Sequence, residues 1–229
     1  MTETRHAFHE ELARLEEQAL GALDMIVAAL GRALEALRHR DVELAQIVIS
    51  DDDRIDGRYL EVHQGILTLL ATQAPVATDL RTVAALLHVI KHVERMGDQC
   101  VNIAKLIPIT GHEPPVDEEI LAVVSRMGEL AISEVRQSKQ AFQLRDVELA
   151  HDLVRQDEEI NKLNRDVFRM GVAAGGRDED RLEWVLTMVM VARAIERVGD
   201  NAVDIGEQVA FVVTGLFREF SDASHPLPR

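Results

Sequence analysis

Arg40-Asp41-Val42-Glu43-Leu44-Ala45 recurs letter for letter as Arg145-Asp146-Val147-Glu148-Leu149-Ala150. At the same spacing, Asp52 and Ile55 find their counterparts in Asp157 and Ile160. Further on, Glu94-Arg95-Met96-Gly97-Asp98 returns as Glu196-Arg197-Val198-Gly199-Asp200, three residues closer than the first pair of matches. Self-similarity at a fixed spacing marks a chain built from two copies of one supersecondary unit. The three-residue shift predicts a shorter connection between the second and third segments of the second copy.

The content of each copy is helical. Phe8, Leu12, Leu15, Ala19, Leu23, Ile26, Leu30, Leu34 and Leu37 alternate spacings of three and four, which puts all nine on one helical face. Arg40-Asp41 interrupts that stripe, and a second helix is expected over Val42 to Thr72. Pro75 is placed to open a third helix at its first turn, running to about Ile107. Pro108, Gly111, Pro114 and Pro115 then form the strongest break in the chain. The same pattern follows over Val116 to Leu144, Val147 to Ala173 and Asp180 to Phe217, with Gly175-Gly176 between the last two. The expected fold is all-α: two tandem, sequence-related antiparallel three-helix bundles with six long helices, over residues 1–110 and 111–220. The tail 221–229 has no periodicity and is expected to be disordered.

The composition agrees and narrows the function. Of 229 residues 47% are hydrophobic but only 3% aromatic, so aliphatic side chains must fill the core. A net charge of −15 argues against nucleic-acid binding and against docking on an anionic membrane surface. One cysteine, Cys100, allows no intramolecular disulfide and no cysteine-based zinc site. The N-terminus reads as a polar amphipathic pattern rather than a signal core. The most apolar stretch, Trp184 to Ile195, is too short for a membrane span and contains Arg193. The expectation is a cytoplasmic protein.

Carboxylates supply the candidate chemistry. Glu94 and Asp98 lie four apart on one helix face, as do Glu196 and Asp200; Asp52 and Asp56 share a face of the second helix, with Asp157 and Asn161 as counterparts. Like charges at this spacing cost roughly 0.2–0.5 kcal/mol per pair. A pair repeated at matched positions despite that cost points to a cation between the carboxylates. Hard oxygen donors suit Mg, Ca, Mn or Fe, and carboxylates also bind Zn. Gly97 and Gly199 inside the motif point to close helix approach. The alternative is an ordinary ion network completed by Arg95 and Arg197. His88 and His92 also stand four apart, but their counterparts are Met190 and Ala194, so they are read as packing or surface residues. No catalytic constellation emerges. Cys100 is read as a buried small side chain.

The doubled Glu-Arg-x-Gly-Asp, the Asp52-Asp53-Arg54-Ile55-Asp56 stretch and Pro75-Val76-Ala77-Thr78-Asp79-Leu80-Arg81 together resemble the PhoU family of bacterial phosphate-transport regulators, over nearly the whole chain. The resemblance implies a non-enzymatic regulator of phosphate homeostasis. Such a regulator restrains the phosphate-specific ABC transporter and keeps starvation signalling off when phosphate is plentiful. It implies two partners, the transporter's ATPase subunit and a membrane sensor histidine kinase, with membrane contact through them only, and a homodimer. It implies multinuclear iron or zinc clusters. Carried over, Asp52, Asp56, Glu94 and Asp98 form one site and Asp157, Glu196 and Asp200 the other. Asn161 stands where the family pattern has aspartate, so the second site is expected to be weaker or emptier. Two other readings remain open at this point: a metal-dependent phosphohydrolase using the carboxylate clusters, and a purely structural helical scaffold.

Overall fold

The structure, a computed structural model, describes residues 3–110, 116–174, 179–217 and 219–220. The expected break at 111–115, the Gly175-Gly176 turn and the tail from Ser221 lie outside the described residues. Six long helices run through the rest: α1 Glu3–His39, α2 Val42–Thr72, α3 Thr78–Leu106, α4 Glu118–Leu144, α5 Val147–Ala174 and α6 Glu179–Thr214. A short 3-10 turn, Ile107–Thr110, follows α3.

The repeated Arg-Asp is a compact helix–helix joint. Arg40 and Arg145 take φ of 56° and 54°, the left-handed conformation that ends a helix. The next amide reaches back into the finished helix, Asp41 N to Ala36 O at 2.9 Å and Asp146 N to Ala141 O at 3.0 Å. The same aspartate then caps the next helix: Asp41 Oδ1 accepts from Leu44 N at 2.9 Å, and Asp146 Oδ1 accepts from Glu148 N at 2.9 Å and Leu149 N at 3.1 Å. So short a link leaves consecutive helices no choice but to pack antiparallel. The predicted shortening of the second copy falls in α5, which has 28 residues against 31 in α2.

Two helix ends differ from the sequence reading. Pro75 does not open α3. The helix begins at Thr78 after Ala77, whose φ of 47° breaks the chain direction, and Pro75 lies in the extended link before it. Nor does α6 reach Phe217; Gly215, at φ 77°, ends the helix with its amide on Phe211 O at 2.8 Å. The chain then turns back so that the Phe220 amide donates to Glu207 Oε1 at 2.7 Å. A local pattern registers helix-compatible residues and cannot register where the backbone leaves the helix for such a contact.

Within each half the three helices pack on one another, and the halves meet through α3 against α6 and α1 against α4. Both cross-pairings are antiparallel. Along α1 and α4, Glu16 pairs with Arg145 at 2.6 Å, Asp24 with Lys139 at 2.6 Å, and Leu34 lies over Gly128. Along α3 and α6, Arg81 Nε donates to Val212 O at 3.0 Å and His92 Nδ1 lies 2.8 Å from Asn201 Oδ1. The two copies are therefore related by a pseudo-two-fold turn, with α1, α3, α4 and α6 inside and α2 and α5 outside. A single aliphatic core runs through both halves, from Leu15, Ile26 and Leu30 to Val191, Ile195 and Val209. Burying each such side chain contributes about 1.5–3 kcal/mol. Among the described residues no helix is long and apolar enough to cross a membrane.

Candidate metal centres

Each outer helix lies against an inner helix at the glycine of the repeated motif. A side-chain carbon on Gly97 would sit 2.8 Å from Asp52 Oδ1 and 3.2 Å from Ile55; one on Gly199 would sit 2.8 Å from Asp157 Oδ1 and 3.3 Å from Ile160. A methyl at either place would displace these carboxylates and press on the isoleucine of the neighbouring helix, so glycine is what lets the two helices and their acids come this close. The contact is the same in both halves and sets the second-helix aspartates beside the third-helix motif. Because α3 and α6 run antiparallel, the two clusters come to the same level of their shared seam, one on the α2 side and one on the α5 side.

In the first half Asp52 and Glu94 are half-buried while Asp56 and Asp98 are exposed. Burial, and after it the charges of Asp56, Asp98 and Asp53, push the Asp52 carboxyl up to about 6. Burial also raises Asp98, with Glu94 and Asp56 adding to it. Glu94 pairs with Lys91 at 2.7 Å. In the second half Glu196 is buried and pairs with Arg193, the counterpart of Lys91. The ion pairs on the motif glutamates thus come from one turn upstream rather than from Arg95 and Arg197. Burial, then Asp200 and Glu196, push Asp157 up to about 7. Burial likewise raises Glu196 and Asp200. Asn161 donates its amide to Asp157 Oδ2 at 2.6 Å.

The second cluster has a further member that the motif reading missed. Glu134, on α4, is 0% exposed, and its carboxyl is pushed up to about 9 by burial, then by Asp157, Asp200 and Glu159. Its Oε2 also stands 2.8 Å from the point a side-chain carbon on Gly199 would take. The signal was present in the chain. The buried positions of α4 repeat those of α1 at the same spacing as the Arg-Asp joint: Leu15 and Ile120, Ile26 and Ala131, Leu30 and Val135, Leu37 and Phe142. Glu134 falls on Ala29 in that register, a charged residue on an apolar stripe. Where Ala29 stands there is instead a cavity of about 280 Å³, lined by Ala29, Arg32, Asp52, Gly97, Cys100 and Val101 among others.

The donor chemistry suits a hard cation. Both oxygens of Glu134, Oδ1 of Asp157 and Oε2 of Glu196 are buried with no hydrogen-bond partner, and each such group costs about 1–3 kcal/mol unless something satisfies it. As the side chains stand, no three Asp, Glu, His or Cys residues among the described residues converge on one ligating point. The clusters are thus donor sets rather than closed coordination shells. The other candidates lie elsewhere: His92 is buried in the α3/α6 seam and His88 is exposed with its ring 6.1 Å from Phe217. Cys100 is buried, and its thiol is pushed up to about 12 by burial first.

The doubled architecture has close counterparts. The family model described as PhoU domain matches twice, over residues 20–107 and 124–209. A Zymomonas mobilis protein named phosphate-specific transport system accessory protein PhoU homolog is 32% identical over 212 residues, covering 93% of this chain and 89% of its own. The Mycobacterium leprae PhoU homolog 1 is 29% identical over 223 residues, covering 94% of this chain and 96% of its own. Among solved structures, the phosphate transport system regulatory protein PhoU from Streptococcus pneumoniae superposes with a TM-score of 0.85 at 26% identity, over 92% of this chain and 99% of that one. PhoU from Pseudomonas aeruginosa superposes with a TM-score of 0.84 at 25% identity, over 91% of this chain and all of that one. With both halves matched and the six-helix arrangement shared end to end, the chain belongs to the PhoU family.

Proposed function

We propose that this protein regulates cellular phosphate homeostasis as an accessory of the phosphate-specific transport system, restraining the transporter and holding phosphate-starvation signalling off when phosphate is plentiful. The observation that carries the reading is the double family match over both repeats, together with relatives named as accessory proteins of that system over nearly their whole length. On this reading the chain works in the cytoplasm as a homodimer without catalytic turnover. It docks on the transporter's ATPase subunit and on a sensor histidine kinase, and reaches the membrane only through them. The two carboxylate clusters hold divalent or ferric cations, Fe, Zn, Mn, Mg or Ca. Asp52, Asp56, Glu94 and Asp98 serve one site, and Asp157, Asn161, Glu196 and Asp200 serve the other. Such cations would neutralise groups that otherwise repel one another across the α2/α3 and α5/α6 contacts.

Deleting the gene tests the regulatory reading. In phosphate-rich medium the deletion is expected to raise phosphate uptake and to release alkaline phosphatase from repression. Wild-type levels of both, with no second copy of the gene present, would refute it.

A further inference from the structure

We propose that Glu134 is a cation ligand of the second cluster, contributed by α4 from outside the two motif helices, and that it makes the second half the tighter of the chain's two cation sites. The inference rests on the reading that the clusters bind cations, and it reverses the expectation drawn from Asn161 alone.

Three observations carry it. First, Glu134 is completely buried with neither oxygen partnered. The charges facing it are Asp157 and Glu159 from α5 and Asp200 from α6, all negative. A buried acid among carboxylates with no donor either keeps its proton or gives it up to a cation, and a cation alone would satisfy both of its oxygens. Second, Glu134 Oε2 and Asp157 Oδ1 converge from two helices on the space above Gly199, each 2.8 Å from the point a side-chain carbon there would take. Third, Asn161 holds Asp157 by its other oxygen, Oδ2, so that Oδ1 is left free and unpartnered. Asn161 is then a positioning residue that orients a ligand, rather than a lost one. With Glu134 the second cluster has four carboxylates: Glu134, Asp157, Glu196 and Asp200. The first cluster also has four, but none of them is buried, whereas in the second Glu134 and Glu196 are buried, Asp157 is half-buried and Asp200 alone is exposed; the position of Glu134 is taken in the first half by Ala29 beside a cavity. A cation that displaces the protons of these buried acids meets its carboxylates in a drier setting, where their attraction for it is stronger.

The test uses the full chain stripped with chelator, with Zn²⁺ and Mn²⁺ as separate probes. Bound metal per chain is measured by elemental analysis and affinity by competition. In an Asp52→Asn, Asp98→Asn background the second cluster reports alone. Adding Glu134→Gln there is expected to weaken binding at least about tenfold, the scale at which even supporting groups act. In the otherwise unsubstituted chain, Glu134→Gln is expected to lower affinity more than Asp98→Asn does. Glutamine matches the shape and neutral hydrogen-bonding of a protonated core acid, so a merely structural Glu134 would leave stoichiometry and affinity unchanged; that result overturns the inference. If the glutamine variant fails to fold, Ala29→Glu tests the same idea in the other half, where the cavity leaves room. Tighter binding at the first cluster is expected, and no gain overturns the inference. An unsubstituted chain that takes up no metal removes the cation reading of both clusters and this inference with it, whereas metal uptake insensitive to Glu134 removes this inference alone.

Discussion

Replacing Glu134 by glutamine in the chelator-treated chain isolates what it costs to bury that carboxyl. In the folded chain the group is pushed from its ordinary 4.5 up to about 9, by burial first and then by Asp157, Asp200 and Glu159. Below about pH 4.5 both folded and unfolded chains carry the proton, and the group adds no pH dependence. Above that point the unfolded chain releases its proton while the folded chain keeps it, so stability falls as pH rises toward the folded value. The slope is about 1.4 kcal/mol per pH unit, which gives a loss of about 3 kcal/mol between about pH 5 and pH 7. Movement of the surrounding helices and water entry around the ionised group pull the figure below this ceiling. Glutamine keeps the shape and does not titrate.

The stability gap, variant minus parent, should therefore widen in the variant's favour across that window, by about 6–12 °C in Tm for a chain of this length. Thermal melts followed by circular dichroism at a series of pH values, on both proteins with chelator present, measure it. A gap that stays constant with pH would show that the Glu134 carboxyl titrates as an ordinary exposed acid. The burial argument, and the account of the α4 register that places Glu134 over Gly199, would then be wrong.

The other expectations concern packing and joints. Gly57→Ala should raise stability by up to about 1 kcal/mol, since helix propensity improves and the added carbon meets nothing within 4 Å. Gly97→Ala should lower stability and loosen metal binding at the first cluster, because its carbon would sit 2.8 Å from Asp52 Oδ1 and 3.2 Å from Ile55; equal melting temperatures for the two variants would refute the close approach. Asp41→Ala and Asp146→Ala should each cost about 1 kcal/mol and add nearly independently in the double variant. Denaturant titration checks this, and strong coupling between the two joints would show that they do not act as separate caps.

The helices were legible in the sequence because their cause is local. The Phe8-to-Leu37 stripe has the period of one helix face, and all of its members except Leu34 are buried in α1, with Leu34 packed over Gly128. The Arg-Asp joint was legible as a repeat, and its capping role follows from aspartate's short acceptor side chain. Motif spacing likewise brought the second-helix aspartates and third-helix pairs onto shared faces, and the structure sets them side by side at Gly97 and Gly199. Helix ends set by distant partners were not legible. Gly215 stops α6 while Arg81, from the other half, supplies a donor to the freed Val212 carbonyl.

Six amphipathic helices and the carboxylate pairs could be read from the order of the residues, since each depends on neighbours within a few turns, and the division into two copies could be read because the repeat is written in the letters themselves. That α1 meets α4 and α3 meets α6 in antiparallel pairs around one shared core emerged with the packed fold. So did the closure of Glu134 over Gly199 and the cavity that Ala29 leaves beside Gly97. Those outcomes depend on which side chains fit together between helices far apart in the chain; the order of the amino acids marks Glu134 as a charge on an apolar stripe, but not what it packs against.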